Sequence, residues 1–281
     1  MRTLYSPSIH CSRGRIKDRS YDMRPNTTKS LLAAGKTPVG TFVFEFNTPG
    51  IARIIAEAGA DFLVFDMEHT GWSVETIRTL LATTRSTSLV PLVRVPATEY
   101  DFIARVLDMG AMGIMVPMVE SAEQARAIAA AAKYPPIGRR GAAFGIAHDD
   151  YTGGDIVEKI SSANREGLLL AQIETVAGLA NVDAIASTPG IDVLWIGQFD
   201  LSISMGIPGQ FTSPELIAAM DRVIAACKKH GKVAGIMAPD LASGRDLIKQ
   251  GFRMISYSGD LWVFQAALRG ALDELRKLAN S

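Results

Sequence analysis

The feature that most constrains this chain is a repeated alternation. From Val39 onward, short apolar runs rich in β-formers trade places with longer segments of helical period, eight times in about 240 residues. A run that is apolar throughout has no face to give to water, so each strand must be covered on both sides. A parallel sheet with helices packed over it meets that demand. The runs are Val39–Phe46, Asp61–Asp66, Val90–Val95, Met112–Pro117, Leu168–Ile173, Ile191–Ile196, Val233–Met237 and Phe252–Tyr257. Between them the period predicts helices over Pro49–Gly59, Ser73–Thr84, Glu99–Met109 and Ser121–Lys133 in the first half. A helix from about Val176, then Ser213–His230, Asp240–Gln250 and Asp260–Leu278, complete the set. Ser73 is placed to cap its helix, and Gly110 to end the one before it.

Eight strand-helix units in that length predict a (β/α)₈ barrel, the TIM barrel, over residues 26–281, with residues 1–25 as a separate N-terminal arm. The rival, an open doubly wound sheet, wants a glycine fingerprint after an early strand, and the chain has neither G-x-G-x-x-G nor a Walker A sequence. A long connection from Tyr134 to about Asp155, with Pro135, Pro136 and several glycines, interrupts the rhythm. Connections of that length inside a compact domain are usually functional or disordered.

Charge narrows the function. Lys and Arg total 29 and Asp and Glu total 29, so the chain is formally neutral. It is not built to neutralise a phosphate backbone or an anionic bilayer, and neither nucleic acid nor membrane is expected as a partner. The neutrality is a cancellation, because residues 1–35 carry seven basic side chains against Asp18 and Asp22. A solvated arm and an organelle-targeting segment are both open for that stretch, so the expected location is cytoplasmic, with mitochondrial as the alternative. Cys11 and Cys227 support neither a disulfide framework nor a thiolate metal site.

In such a barrel the chemistry sits where strands end at their C-termini. Four ends carry ionisable groups: Asp66-Met-Glu-His69, Arg94, Gln172-Ile-Glu174, and Gly197-Gln-Phe-Asp200. Taken alone, Asp200 reads equally well as a helix cap and Glu174 as the favourable start of the next helix. Together they are harder to dismiss, because four independent caps have no reason to share one rim. Glu174 and Asp200 offer oxygen only, which suits a hard divalent cation rather than zinc. Arg94 suits an oxyanion, and Asp66 is placed to orient His69 as an acid–base pair. Glu68 is left without a chemical role. Gly197 and the amides after it are expected to cradle a substrate carboxylate. His148, Asp149, Asp150 and Tyr151 in the long connection form a candidate lid, with Tyr151 as its substrate-facing member. Met109, Met112, Met115 and Met118 read as barrel packing, and His230 as a helix C-terminal contact. No lysine ends strands six to eight, since Lys232 precedes its strand, which disfavours a Schiff-base route.

Several strings together resemble the HpcH/HpaI aldolase/citrate lyase family. They are Asp66-Met-Glu-His69, Pro91-Leu-Val-Arg94, Val116-Pro-Met-Val119, Tyr134-Pro-Pro-Ile-Gly-Arg-Arg-Gly141, Gln172-Ile-Glu-Thr175 and Ile196-Gly-Gln-Phe-Asp-Leu-Ser202. The resemblance runs from about Asn26 to Leu278. It implies a metal-dependent class II pyruvate aldolase acting on a small 2-oxo acid, with Mg²⁺, Mn²⁺ or Co²⁺ on Glu174 and Asp200. It further implies enolate stabilisation by Arg94, acid–base work by His69 with Asp66, and a site glutamine at Gln172. A homo-oligomer is implied too, a hexamer built as a trimer of dimers, with the last helix, Asp260–Leu278, exchanged between partners. The chain departs from the family at Gln198-Phe199, where proline and a small residue are common. Phe199 therefore narrows that side of the substrate pocket.

The leading expectation is reversible cleavage of a 4-hydroxy-2-oxo acid to pyruvate and an aldehyde. A second expectation comes from the Phe144–Tyr151 segment, which looks closer to a subgroup containing macrophomate synthase. It is oxaloacetate decarboxylation that feeds the same enolate into a new carbon–carbon bond. A third is a non-catalytic oligomeric barrel that binds small carboxylates.

Overall fold

The computed structural model describes residues 23–280, so the arm's targeting character, His10 and Cys11 lie outside the described residues. Eight strands, β1 Val39–Val43, β2 Phe62–Asp66, β3 Val90–Arg94, β4 Gly113–Val116, β5 Leu168–Ile173, β6 Val193–Ile196, β7 Val233–Ala238 and β8 Met254–Gly259, close in sequence order into one parallel barrel. The helices are α1 Thr27–Ala33, α2 Ile51–Glu57, α3 Val74–Thr83, α4 Tyr100–Asp108, α5 Ala122–Ala132 and α6 Ile156–Glu166. They continue with α7 Val176–Ala180, α8 Val182–Ala186, α9 Gln198–Ser204, α10 Pro214–Lys229, α11 Leu241–Gln250 and α12 Asp260–Ala279. Among the described residues no helix is long and apolar enough to cross a membrane.

Side-chain alternation divides the core in two. One cluster fills the space between the sheet and the helices. The other fills the barrel, with Phe62 and Val64 from β2, Val90 and Leu92 from β3, Leu168 and Leu170 from β5, and Trp195 from β6. Leu32 of α1 joins this inner cluster. Gly235 makes room for the Trp195 ring, because a Cβ there would lie 2.5 Å from its Cε3. The same alternation decides the site. Two residues beyond Val64, Leu92, Leu170 and Trp195 come Asp66, Arg94, Gln172 and Gly197, at the C-terminal ends of their strands and on the barrel side.

Ser73 caps α3 by accepting from the Thr76 amide, as the sequence predicts, and Ser121, Ser213 and Asp240 cap α5, α10 and α11 in the same way. Two differences matter. Residues 156–166, to which the periodicity assigns nothing, form α6, capped by Asp155. Its inward residues are Lys159 and Ser162, while Ile156 and Val157 face outward, so the apolar signal is inverted. The segment after β6, where the periodicity places no helix before Ser213, holds the helix α9.

Candidate active site

Asp66 ends β2 directly beside Arg94 in the β2–β3 register. The carboxylate is fully buried. Its Oδ1 accepts from Arg94 Nε at 2.5 Å, and its Oδ2 accepts from the main-chain N–H of His69 at 2.8 Å. The expectation that Asp66 pairs with the His69 imidazole is therefore corrected. Asp66 holds the turn that carries His69, and it holds the guanidinium, because the Asx-type turn after the strand brings the amides of residues 68 and 69 back over it.

Glu68 takes the position left open. Its Oε2 lies 3.0 Å from Arg94 Nη1 and 3.8 Å from His69 Nε2. Burial pushes its carboxyl up to about 6, against the pull of Arg94 and with further repulsion from Asp66 and Asp200. The cost of the ionised form is absent below the ordinary value of 4.5 and complete above about 6. Glu68→Gln in the chelated protein is thus expected to gain about 1–2 kcal/mol of stability at pH 8 and nothing at pH 4. Urea unfolding at the two pH values checks this. Arg94 itself is buried between the two carboxylates, with its Cζ 5.2 Å from the Phe42 ring centroid and 5.8 Å from that of Phe44.

Glu174 follows β5 and is 1% exposed. Oε1 accepts from the Met118 amide at 2.6 Å, and Oε2 accepts from the Gln172 side-chain nitrogen. Burial raises its pKa, and the charges of Glu68 and Asp200 add to that, while the two hydrogen bonds oppose it. Met118 reaches Glu174 from a left-handed backbone, φ 53°, an uncommon conformation for a residue with a side chain. It stands half-exposed on the rim rather than packing in the barrel as the sequence suggested. The residue two beyond the end of β4 is a rim position, and that was the available signal. Gln172 Oε1 is buried and unpartnered.

Gly197 ends β6. A Cβ there would fall against the Glu174 carboxylate and 3.0 Å from Gln172 Nε2, so glycine keeps that acid approachable from the cleft. Asp200 stands exposed in the first turn of α9. No cluster of three His, Cys, Asp or Glu side chains able to hold a metal ion exists among the described residues. Two carboxylates whose charges repel, Glu174 and Asp200, beside the unpartnered amide oxygen of Gln172, nevertheless fit a hard cation whose other positions go to water and substrate.

Arg94, Gln172, Gly197 and Asp200 line a cleft of about 680 Å³ that also reaches His69, Phe199 and Trp262. His69 stands in its mouth, with its side chain 56% exposed. Phe199 lies on the α9 side, edge-to-face with Phe211 at 4.7 Å. Tyr151 is not there. Helix α5 runs back antiparallel to β4, so the connection after it opens at the N-terminal end of the barrel, away from the site. Tyr151 stacks on Arg85, whose Cζ is 4.9 Å from the ring centroid, and Arg85 also reaches Asp150 and the Ala147 carbonyl. Within one chain the Phe144–Tyr151 segment cannot serve as a lid. Cys227 is buried, which pushes its thiol up to about 12 and leaves it inert.

The family whose model matches the chain is HpcH/HpaI aldolase/citrate lyase, over residues 39–267. The 5-keto-4-deoxy-D-glucarate aldolase of Klebsiella pneumoniae subsp. pneumoniae is 36% identical over 253 residues, covering 90% of this chain and 98% of that protein. Among solved structures, the HpcH/HpaI aldolase from Desulfitobacterium hafniense DCB-2 has a TM-score of 0.85 at 33% identity, covering 88% of this chain and 96% of that one. Macrophomate synthase has a TM-score of 0.79 at 27% identity, covering 91% of this chain and 89% of that one.

Proposed function

Because this chain belongs to the HpcH/HpaI aldolase/citrate lyase family and is a carbon–carbon lyase, we propose that it reversibly cleaves a 4-hydroxy-2-oxo acid to pyruvate and an aldehyde with the help of a divalent cation. The observation that carries this reading is that Arg94 and Asp200 line one strand-end cleft whose Gln172 and Gly197 stand directly against the buried Glu174. Glu174 and Asp200 would hold Mg²⁺, Mn²⁺ or Co²⁺, which when bound supplies Lewis-acid polarisation of the 2-oxo group. His69, at the mouth, takes the proton of the C4 hydroxyl. The bond between C3 and C4 then breaks, C4 leaves as the aldehyde carbon, and its electron pair forms the pyruvate enolate. Arg94, aimed by Asp66 and Glu68, faces the enolate oxygen. Gln172 and Gly197 shape the pyruvate side, and Phe199 the aldehyde side. Pyruvate release from 4-hydroxy-2-oxo acids, followed with and without chelator, tests the reading. Activity that survives chelation overturns it.

Likeness to macrophomate synthase favours one further reading of the same site, in which oxaloacetate loses carbon dioxide to give that enolate. It does not rest on the Phe144–Tyr151 segment, which lies at the other end of the barrel. Measuring oxaloacetate turnover beside hydroxy-oxo acid turnover separates the two. Aldolase relatives leave no place for a non-catalytic barrel.

The assembly belongs to the same proposal. Helix α12 is 20 residues long, yet only Asp260 in it is buried. Phe264, Leu268, Leu272 and Leu275 face water, and an apolar cleft of about 630 Å³ lies open beside Ile51, Ile54 and Tyr257. Exchange of α12 with a second copy covers both surfaces, and three such dimers make the hexamer. Leu268→Glu combined with Leu272→Glu, adjacent on the helix face, is expected to yield monomer by light scattering. An unchanged mass would count against exchange.

A further inference from the structure

We propose that the aldehyde this site releases and accepts is neutral and aromatic or bulky-apolar, seated against a preformed aromatic wall. This deepens the aldolase reading and rests on it. All three tryptophans of the chain, Trp72, Trp195 and Trp262, line the cleft, and they come from the turn after β2, from β6 and from the first turn of α12. Trp195 is buried and packs on Phe42, so it is floor. The others form walls above that floor. Trp262 is 43% exposed and Phe199 51% exposed, each large and apolar and each facing a cleft that already holds the reactive groups.

The wall is fixed before any ligand arrives. The Asp260 carboxylate accepts from the amides of Phe44 at 2.9 Å, Glu45 at 3.0 Å, Phe46 at 2.7 Å and Leu261 at 2.9 Å. One buried acid thereby ties the chain after β1 to the start of α12. It sets Phe44 edge-to-face against Trp262, with ring centroids 5.0 Å apart. Phe199 is braced in the same manner by Phe211, which packs against the core between sheet and helices. Such walls favour a flat or bulky apolar group and lose nothing to ordering when it binds.

Charge points the same way. Among the described residues the cleft's basic side chains are Arg94 and His69. Arg94 is already paired through Nε with Asp66 and through Nη1 with Glu68. Among the described residues of one chain, an aldehyde carrying its own carboxylate would find no further guanidinium or ammonium group on the cleft wall, and it would meet Glu45, a carboxylate outside the proposed cation site. This lining therefore disfavours a diacid, even though relatives such as that of Klebsiella pneumoniae subsp. pneumoniae are named 5-keto-4-deoxy-D-glucarate aldolase. In the synthetic direction, C3 of the enolate bonds to the aldehyde carbon. The carbonyl electron pair moves to oxygen and takes up the proton removed from the pyruvate methyl group, so nothing is oxidised or reduced.

The test uses the full-length oligomer with added Mg²⁺. Aldol addition of pyruvate to benzaldehyde and to succinic semialdehyde is compared by kcat/KM. Alongside, exchange of the pyruvate methyl protons in D₂O is followed by NMR, since it needs no aldehyde. Benzaldehyde is expected to be preferred at least about tenfold. Phe199→Ala and Trp262→Leu should each reduce the preference several-fold, and Phe199→Arg, which supplies a cation, should turn it toward succinic semialdehyde. Methyl exchange with no preference for benzaldehyde, or a preference that none of the three substitutions moves, overturns the proposal and leaves the aldolase reading standing. Absence of methyl exchange in the unsubstituted protein removes that reading, and the proposal with it.

Discussion

Glu174→Ala is expected to lower pyruvate formation at least about 10³-fold, the scale of a lost Lewis-acid contribution of several kcal/mol. Chelation should bring the unsubstituted protein to the same floor. The expectation follows from what surrounds the side chain. Glu174 is buried, its oxygens are held by the Met118 amide and by Gln172, and Gly197 stands directly against its carboxylate with no side chain between them. Burial and the charges of Glu68 and Asp200 raise its pKa, so in the cation-free protein the ionised form works against folding as pH rises. A divalent cation reverses that sign. Glu174→Gln therefore separates charge from shape: the cation-free variant should melt no lower than the parent at pH 8, while the rise in melting temperature on adding Mn²⁺ should vanish. Thermal melts with and without Mn²⁺, read beside a coupled pyruvate assay, check both parts. A full Mn²⁺-induced rise in Glu174→Gln would place the cation elsewhere.

The barrel was legible because strands covered on both faces read as unbroken apolar runs, and because Ser73, Ser121, Ser213 and Asp240 mark helix starts by their own chemistry. Helix α6 was not, since its inward face presents Lys159, whose ammonium donates to Asp149 Oδ2 at 2.6 Å and to the Thr152 carbonyl. Asp149 and Thr152 lie only ten and seven residues upstream, but in an irregular connection, so no helical period brings them to the lysine and the pairing that makes it tolerable is fixed by the fold of that connection. Strand ends located Asp66, Arg94, Glu174 and Asp200. Where each carboxylate turns was another matter, because the contact of Asp66 with Arg94 is fixed by register between two strands. Tyr151 is a different kind of miss. A connection that follows a helix opens at the N-terminal end of a barrel, so topology alone could have kept it out of the site. The aromatic wall was beyond reach from sequence, since Trp72, Trp195 and Trp262 meet only when the barrel closes.

Replacing Arg94 should damage both stability and chemistry, for separable reasons. Asp66 is fully buried and Glu68 largely so, and Arg94 is the cation that faces both. Arg94→Met leaves two carboxylates without it, at a cost of about 3–5 kcal/mol by analogy with other broken buried pairs. Arg94→Lys is not a rescue, because a single ammonium cannot replace a planar fork that meets Asp66 through Nε and Glu68 through Nη1. The pH dependence identifies the cause. Arg94 opposes the rise of the Glu68 pKa, so removing it lets Glu68 keep its proton to higher pH. The destabilisation should be smaller at pH 5, where Glu68 is neutral, and larger at pH 8, where it must ionise beside Asp66. Adding Glu68→Gln to Arg94→Met should recover part of the stability at pH 8. It should not recover activity, which falls about 10²–10³-fold once the charge facing the enolate oxygen is gone. Urea unfolding at both pH values and the pyruvate assay resolve the two effects. A pH-independent loss of stability would mean that Arg94 acts through packing on Phe42 and Phe44 instead, and activity within tenfold of the parent would remove Arg94 from the chemistry.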